Sequence, residues 1–300
     1  VVGYSAPPTV IPVAYLLAKR WRARFVLYAQ DLYPDVAWAV GALQNRPMFK
    51  IWRTMNRFMY KRADAIVTLG DHMAAHISRE GVPLERVAVV HNWADGKQIY
   101  PIPSQEIPLK QTTELANRFV VLYSGNLGMV HDIRPVCEAL ILLKPHRERL
   151  AFLFVGGGVR WRDMESFVER EGLGDFVYFR EYVVKDALLT SLNVADAMLL
   201  TVLAGTEGLV VPSKLYGYMA VGRPVLAICP NPCEVSDIID ATECGVVAKT
   251  GKDLADAVLL LLNNSGLSAE MGERARAVFE EQFERRKATA RIGEILRSVS

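Results

Sequence analysis

Short apolar runs alternate along the whole chain with longer stretches in which apolar residues recur at helical spacing. Short runs bounded by polar or glycine-rich segments are typical of buried strands. The pattern predicts strands at 1–5, 25–30, 65–69, 87–92, 119–124, 150–155, 176–179, 197–202, 224–228 and 245–248. Because short strands that alternate with helices form parallel sheets covered on both faces, the chain is predicted to be an α/β protein.

Helices are predicted between and after these strands, where the apolar period is close to that of an α-helix. They cover residues 10–22, 45–62, 71–80, 132–143, 161–171, 185–194, 213–221, 252–262, 269–283 and 285–299.

The segment 101–117 is proline-containing and has no sustained apolar period, so it is predicted to be a linker. We therefore expect a Rossmann-like domain at 1–100, a second one at 118–283 and a closing helix at 284–300. The first domain has four predicted strands where a doubly wound domain has about six, so we expect it to be incomplete in this chain.

Composition narrows the class of protein. Three hundred residues, of which 51% are hydrophobic, are enough for two cores. The net charge of +2, without an arginine-rich tract, argues against a nucleic-acid partner. Cys137, Cys229, Cys233 and Cys244 lack the paired spacing of a zinc site, so we expect buried free thiols, which suit a reducing cytoplasm. No apolar run reaches the roughly 18 residues that a membrane span needs.

The segment Pro212-Ser213-Lys214 is predicted to turn into the first residues of a helix. A helix start leaves backbone N–H groups without intrahelical acceptors and carries the positive end of the helix dipole, so it favours an anion. Lys214 adds a full positive charge where a phosphate could bind. Gly208 permits a close approach of a ligand to the backbone, and Glu207 is placed to accept hydrogen bonds from sugar hydroxyls. The alternative is an ordinary capped helix with a surface lysine and a solvated glutamate.

Two glycine-rich segments follow predicted strands, namely Gly125-Asn126-Leu127-Gly128 and Gly156-Gly157-Gly158. A glycine turn between strand and helix directs backbone N–H groups towards a pyrophosphate. The loops after the first and fourth strands of a doubly wound domain meet at one crevice, so the first segment is expected to lie near Lys214. A tight strand-to-helix turn is the alternative. His131 and Arg134 either add positive charge to the first segment or lie on the surface.

These motifs resemble a known family. Glu207-Gly208 with Pro212, and then Met219-Ala220-x-Gly222-x-Pro224-Val225, is similar to the donor-site segment of the GT-B retaining glycosyltransferases of family 4. The form Pro-Ser-Lys-x-Tyr-Gly resembles the bacterial branch that makes capsule, O-antigen and exopolysaccharide. The resemblance implies a GT-B fold with two Rossmann-like doubly wound domains. It also implies retaining transfer of a sugar from a UDP- or GDP-sugar. Because a glycine turn is paired with Lys214 and the chain has no Asp-x-Asp signature for a metal-bridged diphosphate, we expect neither a metal ion nor a cofactor.

The residues and the resemblance together assign the site. Lys214 and Glu207 are the predicted catalytic residues, and Asp31 is predicted to orient the acceptor. The predicted donor-binding residues are Gly125, Asn126, Leu127, Gly128, Gly156, Gly157, Tyr182, Gly208, Pro212, Ser213 and Glu234. Alternatively, Asp31 stabilises a turn and Glu234 is an ordinary helix-start carboxylate. The family's second glutamate is replaced here by Leu215, or by Gly217 if the Met-Ala-x-Gly end is aligned instead, so no ribose contact is assigned.

The expected partners are a nucleotide-sugar donor and a lipid-linked or saccharide acceptor. The predicted helix 45–62 has a basic stripe, which comprises Arg46, Lys50, Arg53, Arg57 and Lys61. A basic stripe suits the anionic headgroups of a membrane, and a solvated face is the alternative. The sequence thus predicts a cytoplasmic glycosyltransferase of bacterial surface polysaccharide synthesis, free or peripheral to the inner face of the plasma membrane. A nucleotide-sugar 2-epimerase and an inactive nucleotide-sugar-binding scaffold are the alternatives.

Overall fold

The computed structural model describes residues 1–112 and 114–299, and the chain divides into two compact units. Unit 1 comprises residues 1–92, residues 205–211 and the segment that begins at Arg285. Unit 2 comprises residues 93–204 and 212–284.

Unit 1 is built on a parallel sheet in the order β1-β2-β3-β4. Its strands are β1 (Val2–Tyr4), β2 (Val26–Tyr28), β3 (Ala65–Thr68) and β4 (Val87–Val89), each at a predicted position. Its helices are α1 (Val10–Trp21), α2 (Asp35–Ala39), α3 (Arg46–Tyr60), α4 (Asp71–Arg79) and α12 (Arg285–Ser298). Helix α2 was not predicted, because five residues are too few to show a helical period.

Unit 2 is built on a parallel sheet in the order β10-β9-β8-β5-β6-β7. The strands are β5 (Phe119–Asn126), β6 (Leu150–Gly157), β7 (Val177–Arg180), β8 (Ala197–Thr201), β9 (Val225–Ile228) and β10 (Gly245–Ala248). This is the doubly wound Rossmann order, in which the first and fourth strands of the domain are neighbours. Ligands bind such sheets at the switch point between those two strands, which here are β5 and β8.

Helices cover this second sheet. They are α5 (Arg134–Leu143), α6 (Trp161–Arg170), α7 (Leu188–Asn193), α8 (Lys214–Ala220), α9 (Glu234–Thr242), α10 (Gly251–Asn263) and α11 (Ser265–Val278). A π-helical segment, Phe279–Phe283, continues α11. The core of unit 2 includes the fully buried side chains of Leu140, Phe152, Leu199 and Val258. Within the described residues, no helix is both long enough and apolar enough to cross a membrane.

Strands β5 and β6 are longer than the sequence predicts, because the first glycines of the two glycine-rich segments continue the sheet. Gly125 pairs with Gly156, and Asn126 pairs with Gly157, in parallel register. Gly125 and Gly156 have φ angles of +124° and +142°, which disfavour any residue with a side chain. A Cβ atom on Gly156 would lie 2.2 Å from the carbonyl oxygen of Gly125. The expected turns at Gly125 and Gly156 are therefore strand ends that approach each other closely.

Residues 205–211 pack within unit 1, although the predicted domain 118–283 includes them. The backbone N–H of Leu32 donates to the carbonyl oxygen of Leu209 at 3.0 Å. Gly208 has a φ of +69°, and a Cβ atom there would lie 2.7 Å from the carbonyl oxygen of His72. The backbone that comes close to Gly208 is thus that of His72 on α4.

Candidate active site

The Lys214 side chain lies at the switch point of the unit 2 sheet, over the end of β5. Its Nζ atom donates to the hydroxyl oxygen of Tyr123 at 2.5 Å and lies 3.4 Å from the carbonyl oxygen of Asn126. It is also 3.3 Å from Nε2 of His131. The structure therefore brings the start of α8 and the first glycine-rich segment together, as the order of strands requires.

Tyr123 holds this arrangement. Its ring is fully buried in β5, and its hydroxyl donates to the carbonyl oxygen of Asn126 at 2.8 Å while it accepts from Lys214. The Lys214 ammonium also lies 4.0 Å from the centroid of the Tyr123 ring, a cation–π contact. From α8, the Tyr218 hydroxyl accepts from the Ser124 N–H at 2.9 Å, which ties the helix to the same strand end.

Lys214 is a half-buried cation, and its contacts with the described residues are all with neutral groups. Burial lowers the pKa of its ammonium to about 7, because desolvation disfavours the charged form. Among the residues that the structure describes, Lys214 makes no ion pair with a carboxylate. A cation that has lost part of its hydration and has no counter-ion among the described residues is costly, so this position favours the binding of an anion.

His131 differs from both sequence expectations. Its side chain is buried, and the Gly128 N–H donates to its Nδ1 atom at 3.0 Å. Burial, and then the nearby charge of Lys214, lower the pKa of His131 to about 4. The imidazole is therefore neutral near pH 7 and adds no positive charge to the site. Arg134 is exposed and pairs with Asp132, so its surface alternative is the one that the structure supports.

The glycine-rich segments use part of their backbone within the protein. The Leu127 N–H donates to the carbonyl oxygen of Gly157 at 2.7 Å, and the Gly128 N–H is engaged by His131. A Cβ atom on Gly157 would lie 3.1 Å from the ring of Tyr182, which is itself 60% exposed. The close packing of the ends of β5 and β6 thus explains why glycine occupies several positions of the two glycine-rich segments.

The other predicted donor-binding residues lie at helix starts. Ser213 occupies the N-cap position of α8, but its side chain makes no capping hydrogen bond. Pro212 precedes it and is half-buried. Glu234 is the first residue of α9 and is buried. Leu215 is fully buried, so it presents no polar atom to a ribose.

The remaining predicted site residues belong to unit 1. Glu207 is half-buried, Gly208 is buried, and both lie in the segment that packs against Leu32 and His72. Asp31 is half-buried beside Leu32, and burial raises the pKa of its carboxyl group. The structure therefore places Asp31 and Glu207 in one unit and Lys214 in the other.

Comparison with known families covers both units. The sequence model of "Glycosyl transferases group 1" matches residues 105–278, and that of a "Glycosyl transferase 4-like domain" matches residues 1–93. The first match alone spans more than half of the chain.

Two curated proteins illustrate the similarity. The chain is 28% identical over 232 residues to the probable glycosyltransferase WbjE of Pseudomonas aeruginosa, covering 77% of this chain and 56% of that protein. It is 29% identical over 288 residues to the putative colanic acid biosynthesis glycosyl transferase WcaI of Escherichia coli K12, covering 91% of this chain and 69% of that protein. The chain thus spans little more than half the length of WbjE.

Solved structures share the fold. The crystal structure of Anabaena Alr3699/HepE in complex with UDP superposes with a TM-score of 0.81 at 16% identity, covering 97% of this chain and 76% of that one. WaaG, a glycosyltransferase involved in lipopolysaccharide biosynthesis, superposes with a TM-score of 0.69 at 19% identity, covering 94% of this chain and 80% of that one. These similarities, with the two parallel sheets, confirm the predicted GT-B class with two Rossmann-like domains. The chain belongs to the glycosyl transferases of group 1, as its sequence motifs indicate.

Proposed function

We propose that the protein transfers a sugar from a nucleoside-diphosphate sugar to a lipid-linked or saccharide acceptor in the synthesis of a bacterial surface polysaccharide. The observation that carries this proposal is the half-buried Lys214 ammonium, whose partners among the described residues are all neutral and which lies at the switch point of a Rossmann sheet. A diphosphate supplies the missing negative charge. Membership of a glycosyl transferase family and the UDP bound to the similar HepE structure support a nucleotide-sugar donor.

The proposed role of each residue follows from the negative charge that develops on the leaving diphosphate during the reaction. The bond between the sugar's anomeric carbon and the diphosphate oxygen breaks, and its electron pair stays on the leaving diphosphate. Lys214 stabilises that charge, and Tyr123 holds the ammonium in place beforehand, so little reorganisation is needed during the reaction. The acceptor hydroxyl oxygen forms the new bond to the anomeric carbon, and its proton passes to the leaving diphosphate. In this proposal neither a metal ion nor a cofactor takes part, and the anomeric configuration is retained.

Glu207 and Asp31 are assigned to the sugars. We assign Glu207 to hydroxyl groups of the donor sugar, since a carboxylate accepts hydrogen bonds from them. We assign Asp31, which follows β2 at the carboxyl edge of the unit 1 sheet, to an acceptor hydroxyl. Both roles are positioning roles, in which geometry rather than charge lowers the barrier.

A lipid-linked acceptor suggests contact with a membrane on its cytoplasmic side. The basic stripe lies on α3, and Arg53 and Arg57 at its centre both contact Glu80. Arg46, Lys50 and Lys61 are exposed at the two ends of the stripe. We therefore assign headgroup binding to these three residues rather than to the whole stripe.

A donor screen with the full-length protein tests this function. We expect release of a nucleoside diphosphate from a UDP- or GDP-sugar when a saccharide or lipid-linked acceptor is present. A 2-epimerase would convert the donor without any acceptor, and a scaffold would bind nucleotide without turnover. Either result would contradict the proposed transfer.

A further inference from the structure

Residues 29–34 connect β2 to α2 and carry Asp31, and we call them the Asp31 loop. The backbone of this loop is fixed on both sides of Asp31. The Gln30 N–H donates to the hydroxyl oxygen of the buried Ser5 at 2.7 Å, and the Leu32 N–H donates to another backbone carbonyl of unit 1 at 3.0 Å. The loop is therefore held in one conformation around its carboxylate.

Asn56 of α3 holds the same loop from the side of the helix. Its side chain is 2% exposed, and its Nδ2 atom donates to the carbonyl oxygen of Tyr33 at 2.6 Å. Its Oδ1 atom is buried and has no hydrogen-bond partner among the described residues. An unpaired polar atom in the interior is costly, so packing alone does not account for an asparagine at this position. The bond to Tyr33 is the contact that the asparagine adds.

Two further side chains of α3 reinforce this contact. The ring of Trp52 stacks on that of Tyr33, with centroids 6.1 Å apart and planes 10° from parallel. The guanidinium of Arg53 lies 3.5 Å from the carboxylate of Asp35, the residue that follows the loop. Because positions three and four apart share one face of a helix, Trp52, Arg53 and Asn56 contact the loop and the start of α2 together.

The Asp31 carboxylate itself has no such partner. It is half-buried, and among the described residues it makes neither a hydrogen bond nor an ion pair. A carboxylate accepts hydrogen bonds through both of its oxygens. Since the surrounding backbone is fixed while these oxygens stay free of protein donors, Asp31 is arranged to accept a hydrogen bond from a ligand.

We propose that Asn56, with Trp52 beside it, is a positioning residue that holds the Asp31 loop in the conformation in which Asp31 receives the acceptor hydroxyl. This inference deepens the proposed function and rests on the assignment of Asp31 to the acceptor. The bond from Asn56 to Tyr33 fixes the loop before the acceptor arrives, so less conformational freedom is lost when the hydroxyl binds. Asn56 acts through Asp31 and does not contact the substrate itself.

Hydrogen–deuterium exchange of the full-length protein tests whether Asn56 holds the loop. Asn56→Leu keeps the approximate size of the side chain and removes its donor, so the amides of residues 29–36 should exchange about two- to tenfold faster. The unfolding temperature should not fall, because the unpaired Oδ1 atom is removed together with the donor. Gln111→Leu is the matched control, since its Nε2 atom donates to the carbonyl oxygen of Gln105 at 2.7 Å in unit 2. Unchanged exchange in the loop of Asn56→Leu, or faster exchange throughout unit 1 with a lower unfolding temperature, would overturn the proposal.

Steady-state kinetics tests whether this bond acts through Asp31. In Asn56→Leu, kcat/KM for a saccharide acceptor should fall by roughly tenfold or more, while the affinity for UDP and GDP stays at the wild-type value. In an Asp31→Ala background, Asn56→Leu should cause little further loss, because the carboxylate that it positions is already absent. A loss by the same factor in both backgrounds, or full activity of Asn56→Leu despite a loosened loop, would contradict the assigned role.

A second variant keeps the proposal testable if Asn56→Leu does not fold. Trp52→Leu removes the stacked ring from a half-buried position, so it should also speed exchange in the Asp31 loop and lower kcat/KM for the acceptor. Wild-type loop exchange in Trp52→Leu would count against the proposal. A wild-type protein that transfers no sugar would contradict the proposed function, and with it the role of Asp31. Unchanged loop exchange in an active enzyme would contradict the role of Asn56 alone.

Discussion

The Lys214 ammonium lies 2.5 Å from the hydroxyl oxygen of Tyr123 and 4.0 Å from the centroid of the same ring. One side chain at the end of β5 thus contacts the lysine in two ways, by a hydrogen bond and by a cation–π interaction. The same hydroxyl donates to the carbonyl oxygen of Asn126, which fixes its orientation. Tyr123 is therefore a positioning residue for Lys214.

Tyr123→Phe separates these two contacts, because it removes the hydroxyl and keeps the ring. A typical hydrogen bond contributes about 0.5–1.5 kcal/mol, and the charge of Lys214 itself is kept, so we expect UDP or GDP to bind about two- to tenfold more weakly. Calorimetry of nucleotide binding measures the change. Tyr178→Phe is the control, since that hydroxyl donates to the carbonyl oxygen of Asp175 away from Lys214. Unchanged affinity in Tyr123→Phe would show that the hydroxyl does not position the lysine.

Nucleotide affinity should depend on pH through Lys214. The pKa of this group is lowered to about 7, so its ammonium is charged below that pH and loses its proton above it. Since an anion binds the charged form, we expect affinity to fall by roughly tenfold from about pH 7 to about pH 9, a range in which the phosphates keep their charge. Calorimetry in two buffers of different ionisation enthalpy should also show proton uptake. A flat profile in the wild-type protein would contradict this assignment.

Glu207→Ala should affect turnover rather than nucleotide binding. Its carboxylate is assigned to the donor sugar, so the affinity for a nucleoside diphosphate should stay near wild type while kcat falls, by roughly tenfold or more. Glu85→Ala, an exposed glutamate of unit 1, is the control and should change neither quantity. Equal loss of nucleotide affinity and turnover in Glu207→Ala would place the residue on the nucleotide or on the fold.

Sedimentation with lipid vesicles tests the membrane contact. The full-length protein should bind anionic vesicles at low salt and release them as salt screens the charges. Reversal of Arg46, Lys50 and Lys61 to glutamate should abolish binding. The control reverses three exposed basic residues of unit 2, namely Arg147, Arg162 and Lys249. If the wild-type protein does not sediment with anionic vesicles at low salt, the basic stripe of α3 is only a solvated face.

The strands of both sheets lie where the alternating pattern predicts them, because buried parallel strands are short apolar runs that few other structures produce. The pattern of apolar residues mispredicts an element where the element is too short to show a period, or where proline or glycine interrupts it. Helix α9 is absent from the predicted helices, because Pro230 and Pro232 interrupt the apolar period before it, although a helix start at Glu234 was one of the alternatives. The ends of β5 and β6 were placed too early, because glycine is read as a turn and not as a strand residue that permits close pairing.

The part of the candidate site that depends only on the order of the strands could be predicted from the sequence. The meeting of Lys214 with the segment after β5 follows from the doubly wound topology. Tyr123 was not singled out, because a tyrosine in a buried strand is indistinguishable in sequence from a core residue. The burial of His131 was equally hidden, since a short loop has no period that reveals which side chains point inward.

Calorimetry in EDTA tests most directly whether Lys214 binds the diphosphate without a metal ion. The affinity of the full-length protein for UDP and GDP is measured for wild type, Lys214→Met and Lys249→Met. Loss of a charged contact costs about 1.5–3 kcal/mol, so we expect roughly ten- to hundredfold weaker binding in Lys214→Met and no change in the exposed Lys249→Met. Lys214→Met should unfold at the same temperature as wild type or higher, because it removes a half-buried charge that has no carboxylate partner among the described residues. We expect the wild-type protein and Lys249→Met to bind nucleotide without metal, and Lys214→Met to lose this binding. Binding that requires magnesium or manganese, or wild-type affinity in Lys214→Met, would contradict it.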